Sequence, residues 1–304
     1  MRFSLWVGLT QPWADVLEGV RHAEASGWDG VYVADHFMAD AGGPFPPDTP
    51  NLEATAALSA LAAATERVRL APLVLGITYR HPAVLAKWAA TTDHVSGGRL
   101  LLGLGAGWQE NEHEQYGIDL GPPGVRVERF REALPVVRGL LDQERTTVQG
   151  EHYRVTDAVA WPKPVQERLP FLIGAKGDRM LGVVAEHADE WNMWSNPADL
   201  AERRAVLDRH CERIGRDAAE IATSTQALTI ILDDEAKGRE LEASMGGTRP
   251  TVAGPAGRFA ERVAAWRDVG VDEVIVPDFA LGGGSRRSDA MDAIIEQVAP
   301  EFRD

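Results

Sequence analysis

Cysteine is almost absent from this chain of 304 residues, and the single Cys211 excludes a disulfide framework within it. Cys211 lies at helical spacing from Leu207 and Ile214, which favours a buried thiol over a nucleophile. No apolar run reaches the ~18 residues that a membrane helix needs, and we expect no signal peptide. We therefore expect a soluble, cytoplasmic protein without a membrane partner.

Basic residues are also few, because 31 Lys and Arg stand against 46 Asp and Glu, giving a net charge of −15. Such a surface repels phosphate backbones, so we expect no nucleic-acid partner. The eight histidines contain neither a His-x-His nor a His-Glu-x-x-His pattern. We therefore expect no catalytic metal.

What the chain does contain is an alternation of buried strand-like segments with segments of helical periodicity. The eight strand-like segments are 3–9, 30–34, 70–77, 100–104, 171–174, 190–194, 223–232 and 273–277, with an added hairpin at 147–155 and long loops at 37–51, 107–124, 156–170 and 233–254. This alternation predicts an α/β fold, a single (β/α)8 TIM barrel over residues 1–304 with loop insertions. A doubly wound open sheet is the alternative.

Candidate site residues follow the carboxyl ends of the predicted strands, where ligands bind in α/β folds. The second strand ends in Asp35 and His36. A histidine there can bind a substrate or transfer a proton near neutral pH, although a loop cap beside a polar rim residue explains the pair equally well. The third strand ends in Gly76 and Ile77 and is followed by Thr78, so these three residues are candidate ligand contacts.

Two glycine-rich segments end the next strands. Gly103, Gly105 and Gly107 do not form G-x-G-x-x-G, and no helix is predicted directly after them, so a dinucleotide fold is not supported. They would leave a flat surface for a planar ring, or serve only a tight turn. The segment Gly174-Ala175-Lys176-Gly177 opens a predicted helix, whose free N–H groups and lysine form a candidate phosphate site.

Together these segments resemble the bacterial luciferase-like superfamily, in particular its branch that uses the deazaflavin coenzyme F420. The resemblance covers nearly the whole chain and implies the same (β/α)8 barrel. It is carried by Asp35-His36, LVLGITYRHPAVLAK, DHVSGGRLLLGLGAGWQENEHEQYGI, PKPVQ…LPFLIGAKG, ADEWN and GVDEVIVPDF.

The resemblance also implies roles for individual residues. Gly76 and Ile77 match a non-prolyl cis peptide beneath the middle ring of the cofactor. His36 matches a histidine that assists proton transfer in some relatives, and Asp35 matches a residue that contacts the cofactor. The other implied cofactor contacts are Gly105, Ala106, Gly107 and Asn111 beside the ring, and Gly174, Ala175, Lys176 and Gly177 at the phosphate and ribityl region.

The chain departs from the family pattern at two positions. Sugar-phosphate dehydrogenases of the family carry a glutamate where this chain has Trp108, so we expect no sugar-phosphate oxidation. Glu110, two residues away, is a further candidate catalytic carboxylate. Ala175 replaces a usual glycine, which would narrow the phosphate turn.

The resemblance implies an F420-dependent oxidoreductase that transfers a hydride between the deazaflavin and a small organic substrate. One alternative is an FMN-dependent luciferase-like monooxygenase that uses reduced flavin and O2. Another, from a different class, is a cofactor-binding barrel without catalysis. We expect a homodimer that acts on a small molecule.

Overall fold

The structure is a computed structural model that describes residues 1–43, 45–46, 48–245 and 249–303. It divides into two compact units. The terminal unit comprises Met1–Gly8, Ala14–Tyr32 and Ala175–Asp304, and the central unit comprises Leu9–Trp13 and Val33–Gly174. Parts of the predicted loops 37–51 and 233–254 lie outside the described residues.

Strands and helices alternate along the described residues, as the periodicity predicts. The strands are β1 (Arg2–Trp6), β2 (Gly30–Val33), β3 (Arg69–Pro72), β4 (Leu75–Gly76), β5 (Leu102–Gly105), β6 (Thr146–Gln149), β7 (Arg154–Ala158), β8 (Phe171–Gly174), β9 (Glu190–Trp194), β10 (Ala222–Gln226), β11 (Leu228–Ile231), β12 (Thr251–Gly254) and β13 (Glu273–Pro277). The helices are α1 (Trp13–Ser26), α2 (Ala54–Ala64), α3 (Pro82–Ser96), α4 (Glu110–Tyr116), α5 (Pro123–Asp142), α6 (Asp178–His187), α7 (Pro197–Ile214), α8 (Glu235–Ser244), α9 (Ala256–Asp268) and α10 (Ser285–Ala293).

In the central unit, β4, β5 and β8 form neighbouring parallel strands. Leu75 pairs with Leu104, and Leu104 pairs with Ile173, so the three strands end at one edge. β6 and β7 form the predicted antiparallel hairpin. The predicted third strand is divided into β3 and β4, because residues 73–74 leave the ladder between them.

In the terminal unit, the parallel strands lie in the order β2-β1-β13-β10-β9. The predicted seventh strand over 223–232 is also divided, into β10 and β11. β11 leaves the main sheet and pairs with β12 in a separate parallel pair. Cys211 of α7 is buried, as predicted, and burial raises the pKa of its thiol.

The helix that begins at Pro82 shows how local sequence defines an element. Proline at the first position fits because its missing N–H would have no helical partner there. His81 precedes it and accepts a hydrogen bond from Ala83 N at 3.2 Å. Gly97 ends the helix in the left-handed conformation, with φ of 67°, which glycine adopts at little cost. In the described part of the chain, no helix is long and apolar enough to cross a membrane.

Candidate active site

A buried carboxylate, Glu112 of α4, organises a cluster of side chains in the central unit. Its Oε1 accepts a hydrogen bond from His36 Nδ1 at 2.8 Å, and its Oε2 accepts one from Phe37 N at 2.7 Å. The hydroxyl of Tyr79 donates to Oε1 as well. Burial alone would raise the pKa of Glu112, but the hydrogen bonds from His36, Tyr79 and Phe37 outweigh it and hold this pKa below its ordinary value.

These contacts decide which nitrogen of His36 is available for chemistry. Because the ionised Glu112 can only accept, His36 Nδ1 carries a proton, and Nε2 of the neutral ring is left as an acceptor. No group among the described residues is hydrogen-bonded to Nε2, and the side chain is 27% exposed. Trp108 contacts the ring edge-on, with centroids 5.5 Å apart. His36 can therefore accept or donate a proton at Nε2.

Glu112 is expected to contribute a pH-dependent part of the stability. A carboxylate whose pKa in the fold lies below its unfolded value of about 4.3 stabilises the fold fully above that value and loses this effect as the pH falls through the folded pKa. The stability lost in Glu112→Gln should therefore shrink between about pH 6 and about pH 3, as measured by urea unfolding at each pH. Glu114→Gln, on the exposed side of the same helix, is the control. A loss that is constant over this range would contradict the prediction.

Asp35 is occupied by protein partners. Arg80 donates to its Oδ2 at 2.7 Å and to its Oδ1 at 2.9 Å, and Gly76 N donates to Oδ2 at 3.0 Å. Arg80 also donates to Glu53, which caps α2 through Ala56 N at 2.6 Å. Burial would lower the pKa of Arg80, but the two carboxylates raise it above its ordinary value. This ion-pair network positions the segment that follows β4.

Gly103 and Gly105 of β5 do not leave the open flat surface that the sequence predicts, and Gly174 of β8 has the same neighbour. The side chain of Val74 fills the space beside them, since a Cβ at Gly105 or Gly174 would lie 2.6 or 3.2 Å from Val74 Cγ2. A Cβ at Gly103 would lie 1.9 Å from the carbonyl oxygen of Pro72. A planar ring at this edge would therefore meet Val74 rather than bare glycine backbone.

The prediction of a cis peptide at Gly76–Ile77 is wrong. The non-prolyl cis peptide lies three residues earlier, at Leu73–Val74. Gly76 pairs with Gly105, and Ile77 N donates to Gly105 O at 3.0 Å. β4 ends at Gly76, and the Gly76–Ile77 peptide leads into a turn in which Tyr79 N donates to Gly76 O at 3.2 Å.

Thr78 belongs to a second hydrogen-bonded chain. Its Oγ1 lies 2.7 Å from His113 Nε2, and His113 Nδ1 lies 2.6 Å from the carbonyl oxygen of Gln109. That carbonyl can only accept, so Nδ1 donates to it and Thr78 donates to Nε2. Gly107, with φ of 80°, lies directly under Thr78, because a Cβ there would be 2.7 Å from Oγ1. Neighbouring Ala106 is half-buried.

The other candidates on α4 differ in their surroundings. Asn111 Nδ2 donates to Ala39 O at 2.9 Å, whereas its buried Oδ1 has no hydrogen-bond partner among the described residues. Glu110 is exposed at the first position of the helix. The carboxylate that reaches His36 is that of Glu112, two residues further along.

The candidate phosphate segment runs from the end of β8 to the start of α6. Gly174 ends β8 in the central unit, and Ala175–Gly177 belong to the terminal unit. Trp191 Nε1 donates to Ala175 O at 2.8 Å, which holds the segment against β9. Lys176 is exposed, and α6 begins directly after Gly177. A helix N-terminus with a neighbouring lysine is therefore present in the predicted place.

Sequence reasoning missed Glu112, together with Tyr79 and Arg80. For Glu112 the reason is that the sequence predicts a loop over 107–124, and without a helix nothing distinguishes Glu112 from Glu110. On a helix these two positions point in different directions. Gly117, which ends α4 with φ of 66°, was the available signal of a helix in this segment.

Ile77 and Thr78 border an open pocket of about 360 Å³ in the central unit. Its other lining residues are Arg129, Glu151, His152 and Tyr153. The described residues contain no group of three His, Cys, Asp or Glu side chains that could hold a metal ion.

Parallel strands alternating with helices, with polar groups after the strand ends, define an α/β protein of the barrel class. A family model described as luciferase-like monooxygenase matches residues 1–248, and the chain belongs to this family. The coenzyme F420-dependent tetrahydromethanopterin reductase of Methanopyrus kandleri is 20% identical over 99% of both chains, with a TM-score of 0.83. An F420-dependent secondary alcohol dehydrogenase, in complex with an F420-acetone adduct, is 18% identical over 100% of this chain and 99% of its own, with a TM-score of 0.85. The fold is thus the predicted luciferase-like TIM barrel.

Relatives by sequence use more than one kind of chemistry. An uncharacterized protein of Mycobacterium tuberculosis (strain ATCC 25618 / H37Rv) is 30% identical over 93% of this chain and 92% of its own length. An F420-dependent glucose-6-phosphate dehydrogenase of Microbacterium testaceum is 37% identical over 54% of this chain and 48% of its own. The pyrimidine monooxygenase RutA of Cronobacter sakazakii is 30% identical over 61% of this chain and 54% of its own length. The chain therefore has both F420-dependent and monooxygenase relatives.

Proposed function

We propose that this protein is an F420-dependent oxidoreductase that transfers a hydride between the deazaflavin and a small organic substrate. The observation that carries the proposal is the orientation of His36, whose Nδ1 is held by the buried Glu112 while Nε2 has no partner among the described residues. When an alcohol loses a hydride and becomes a carbonyl, its hydroxyl proton must also leave. His36 Nε2 takes that proton, and returns it in the reverse direction.

The chain's own residues fit such a coenzyme, which accepts or supplies the hydride when bound. In the central unit, the buried Oδ1 of Asn111 is an acceptor without a partner among the described residues, which a ring N–H would satisfy. Val74 is the apolar side chain at the strand ends that a ring would contact. In the terminal unit, Lys176 and the N-terminus of α6 would hold a phosphate.

The second candidate is an FMN-dependent monooxygenase that uses reduced flavin and O2. The likeness to a pyrimidine monooxygenase favours it, and the same residues would bind FMN. A cofactor-binding barrel without catalysis is the third candidate. The fixed orientation of His36 supports an enzyme over that reading.

Equilibrium titration with F420 and with FMN tests the choice of cofactor. We expect F420 to bind more tightly than FMN. Lys176→Ala should weaken F420 binding about 10-fold, because a charge-assisted hydrogen bond to phosphate is lost. Lys237→Ala, which removes a lysine from the first turn of α8, is the matched control. Equal affinities, or tighter binding of FMN, would move the assignment to the flavin monooxygenase.

We further propose a single domain over residues 1–304 that acts on a small molecule as a cytoplasmic homodimer. The net charge of −15 supports the absence of nucleic-acid and membrane partners, because anionic surfaces repel it. Sedimentation of the 33.0 kDa chain measures the oligomeric state. A species of one subunit's mass at micromolar concentration would contradict the homodimer.

A further inference from the structure

Three aromatic side chains of the terminal unit meet at the carboxyl ends of its parallel strands. Trp6 is the last residue of β1, Trp194 is the last residue of β9, and Phe279 follows β13 by two residues. The ring centroids of Trp6 and Trp194 are 5.6 Å apart, and those of Trp6 and Phe279 are 5.7 Å apart with the planes at 84°. We call Trp6, Trp194 and Phe279 the aromatic cluster.

The side chains directly below the aromatic cluster are polar. Residues two apart on a strand share a face, so Ser4 lies below Trp6 and Asn192 lies below Trp194. Ser4 Oγ donates to Glu273 Oε1 at 2.5 Å, and Asn192 Nδ2 donates to Gln226 Oε1 at 2.8 Å. The rings of the cluster therefore lie on a hydrogen-bonded polar layer. An apolar core does not explain their position.

The aromatic cluster also reaches solvent. Trp6 and Trp194 are half-buried, and Phe279 is 38% exposed. The guanidinium of Arg249 lies 5.8 Å from the Trp194 ring centroid, which places a positive charge beside the rings. Partly exposed rings with one charged group at their edge match the lining of a small-molecule site, which is mostly apolar with few polar groups.

We propose that the aromatic cluster binds a planar aromatic ring of the substrate and that Arg249 binds a carboxylate on that ring. The proposal rests on the proposed function, since it names the substrate class of that enzyme as aromatic carboxylates. Rings in offset or edge-on contact attract one another beyond the burial of their area, and arginine matches a carboxylate with two parallel N–H groups. Barrel enzymes bind substrates at the carboxyl ends of their strands, where the three rings lie. Arg249 precedes β12, and its guanidinium lies beside the Trp194 ring.

The test is equilibrium dialysis with 2-naphthoate and with decahydro-2-naphthoate, which has the same charge but is neither planar nor aromatic. We expect 2-naphthoate to bind about 10-fold more tightly. Trp194→Leu and Phe279→Ala should each weaken its binding about 10-fold, whereas Trp161→Leu, at a tryptophan that is 59% exposed in the central unit, should not. Arg249→Ala should weaken the binding of 2-naphthoate and leave that of neutral 2-naphthol unchanged.

Equal binding of the planar and saturated acids, or full affinity in the Phe279→Ala protein, would overturn the proposal. Thermal melting of each variant identifies any that does not fold. Phe279→Ala and the comparison of the two acids on the unmodified protein decide the question even if Trp194→Leu unfolds. F420 titration of the same samples separates the two proposals. If the protein binds both acids equally but still binds F420 more tightly than FMN, only this inference is overturned. If it prefers 2-naphthoate but binds F420 no more tightly than FMN, only the cofactor assignment is overturned.

Discussion

Replacing His36 with alanine is expected to lower turnover by roughly 10²–10⁴-fold, the usual effect of removing an acid–base group. In the described structure, His36 Nε2 is available because Glu112 holds the opposite nitrogen. Without the imidazole, the proton that accompanies hydride transfer has no oriented acceptor. F420 affinity should change much less, because the Lys176 segment is untouched. Turnover and an F420 titration on the same protein measure both effects.

His36→Asn is the matched variant, because its amide N–H₂ can keep the hydrogen bond to Glu112 while the imidazole is lost. It should fold as the unmodified protein does and show the same loss of turnover. Near-normal turnover in either variant would remove His36 from the mechanism. Glu110 would then be the next candidate for the acid–base group.

Gly103→Ala is expected to lower the free energy of unfolding by about 3 kcal/mol, at the upper end of the usual cost of overpacking. The added Cβ would lie 1.9 Å from the carbonyl oxygen of Pro72, which is backbone and cannot rotate away. Pro72 cannot retreat easily, because Leu73 N is hydrogen-bonded to Val33 O at 2.7 Å. Urea unfolding, followed by far-UV circular dichroism, measures the change.

Gly257→Ala is the control for this prediction. Gly257 is an exposed residue of α9, and a Cβ there would meet nothing within 4 Å. The substitution should be neutral or stabilise the protein by up to ~1 kcal/mol, because alanine restricts the unfolded chain and favours a helix. If the two variants unfold at the same urea concentration, the close approach of Pro72 to Gly103 does not constrain the fold.

The alternation of strands and helices, and so the barrel class, was predictable because apolar periodicity and helix ends are local properties of the chain. Pro82 and Gly97 bound α3 as predicted, and the hairpin at 147–155 was confirmed. The division of 70–77 and of 223–232 into two strands each was not predictable. Neither segment is interrupted by a charged residue, and only pairing with other strands decides where a ladder breaks.

The sequence by itself determined the family, the order of elements and the placement of Asp35 and His36 after the second strand. Only the tertiary structure showed that Glu112, rather than Glu110, reaches His36, and that Asp35 is held by Arg80. It also showed that Val74 covers the glycines of β5 and β8. The physical reason is that helical and strand periodicity are properties of residues that are close together in the sequence. The hydrogen bond between His36 and Glu112 joins residues 76 positions apart, so it forms only when distant segments pack together. The same is true of the volume that Val74 occupies beside β5 and β8.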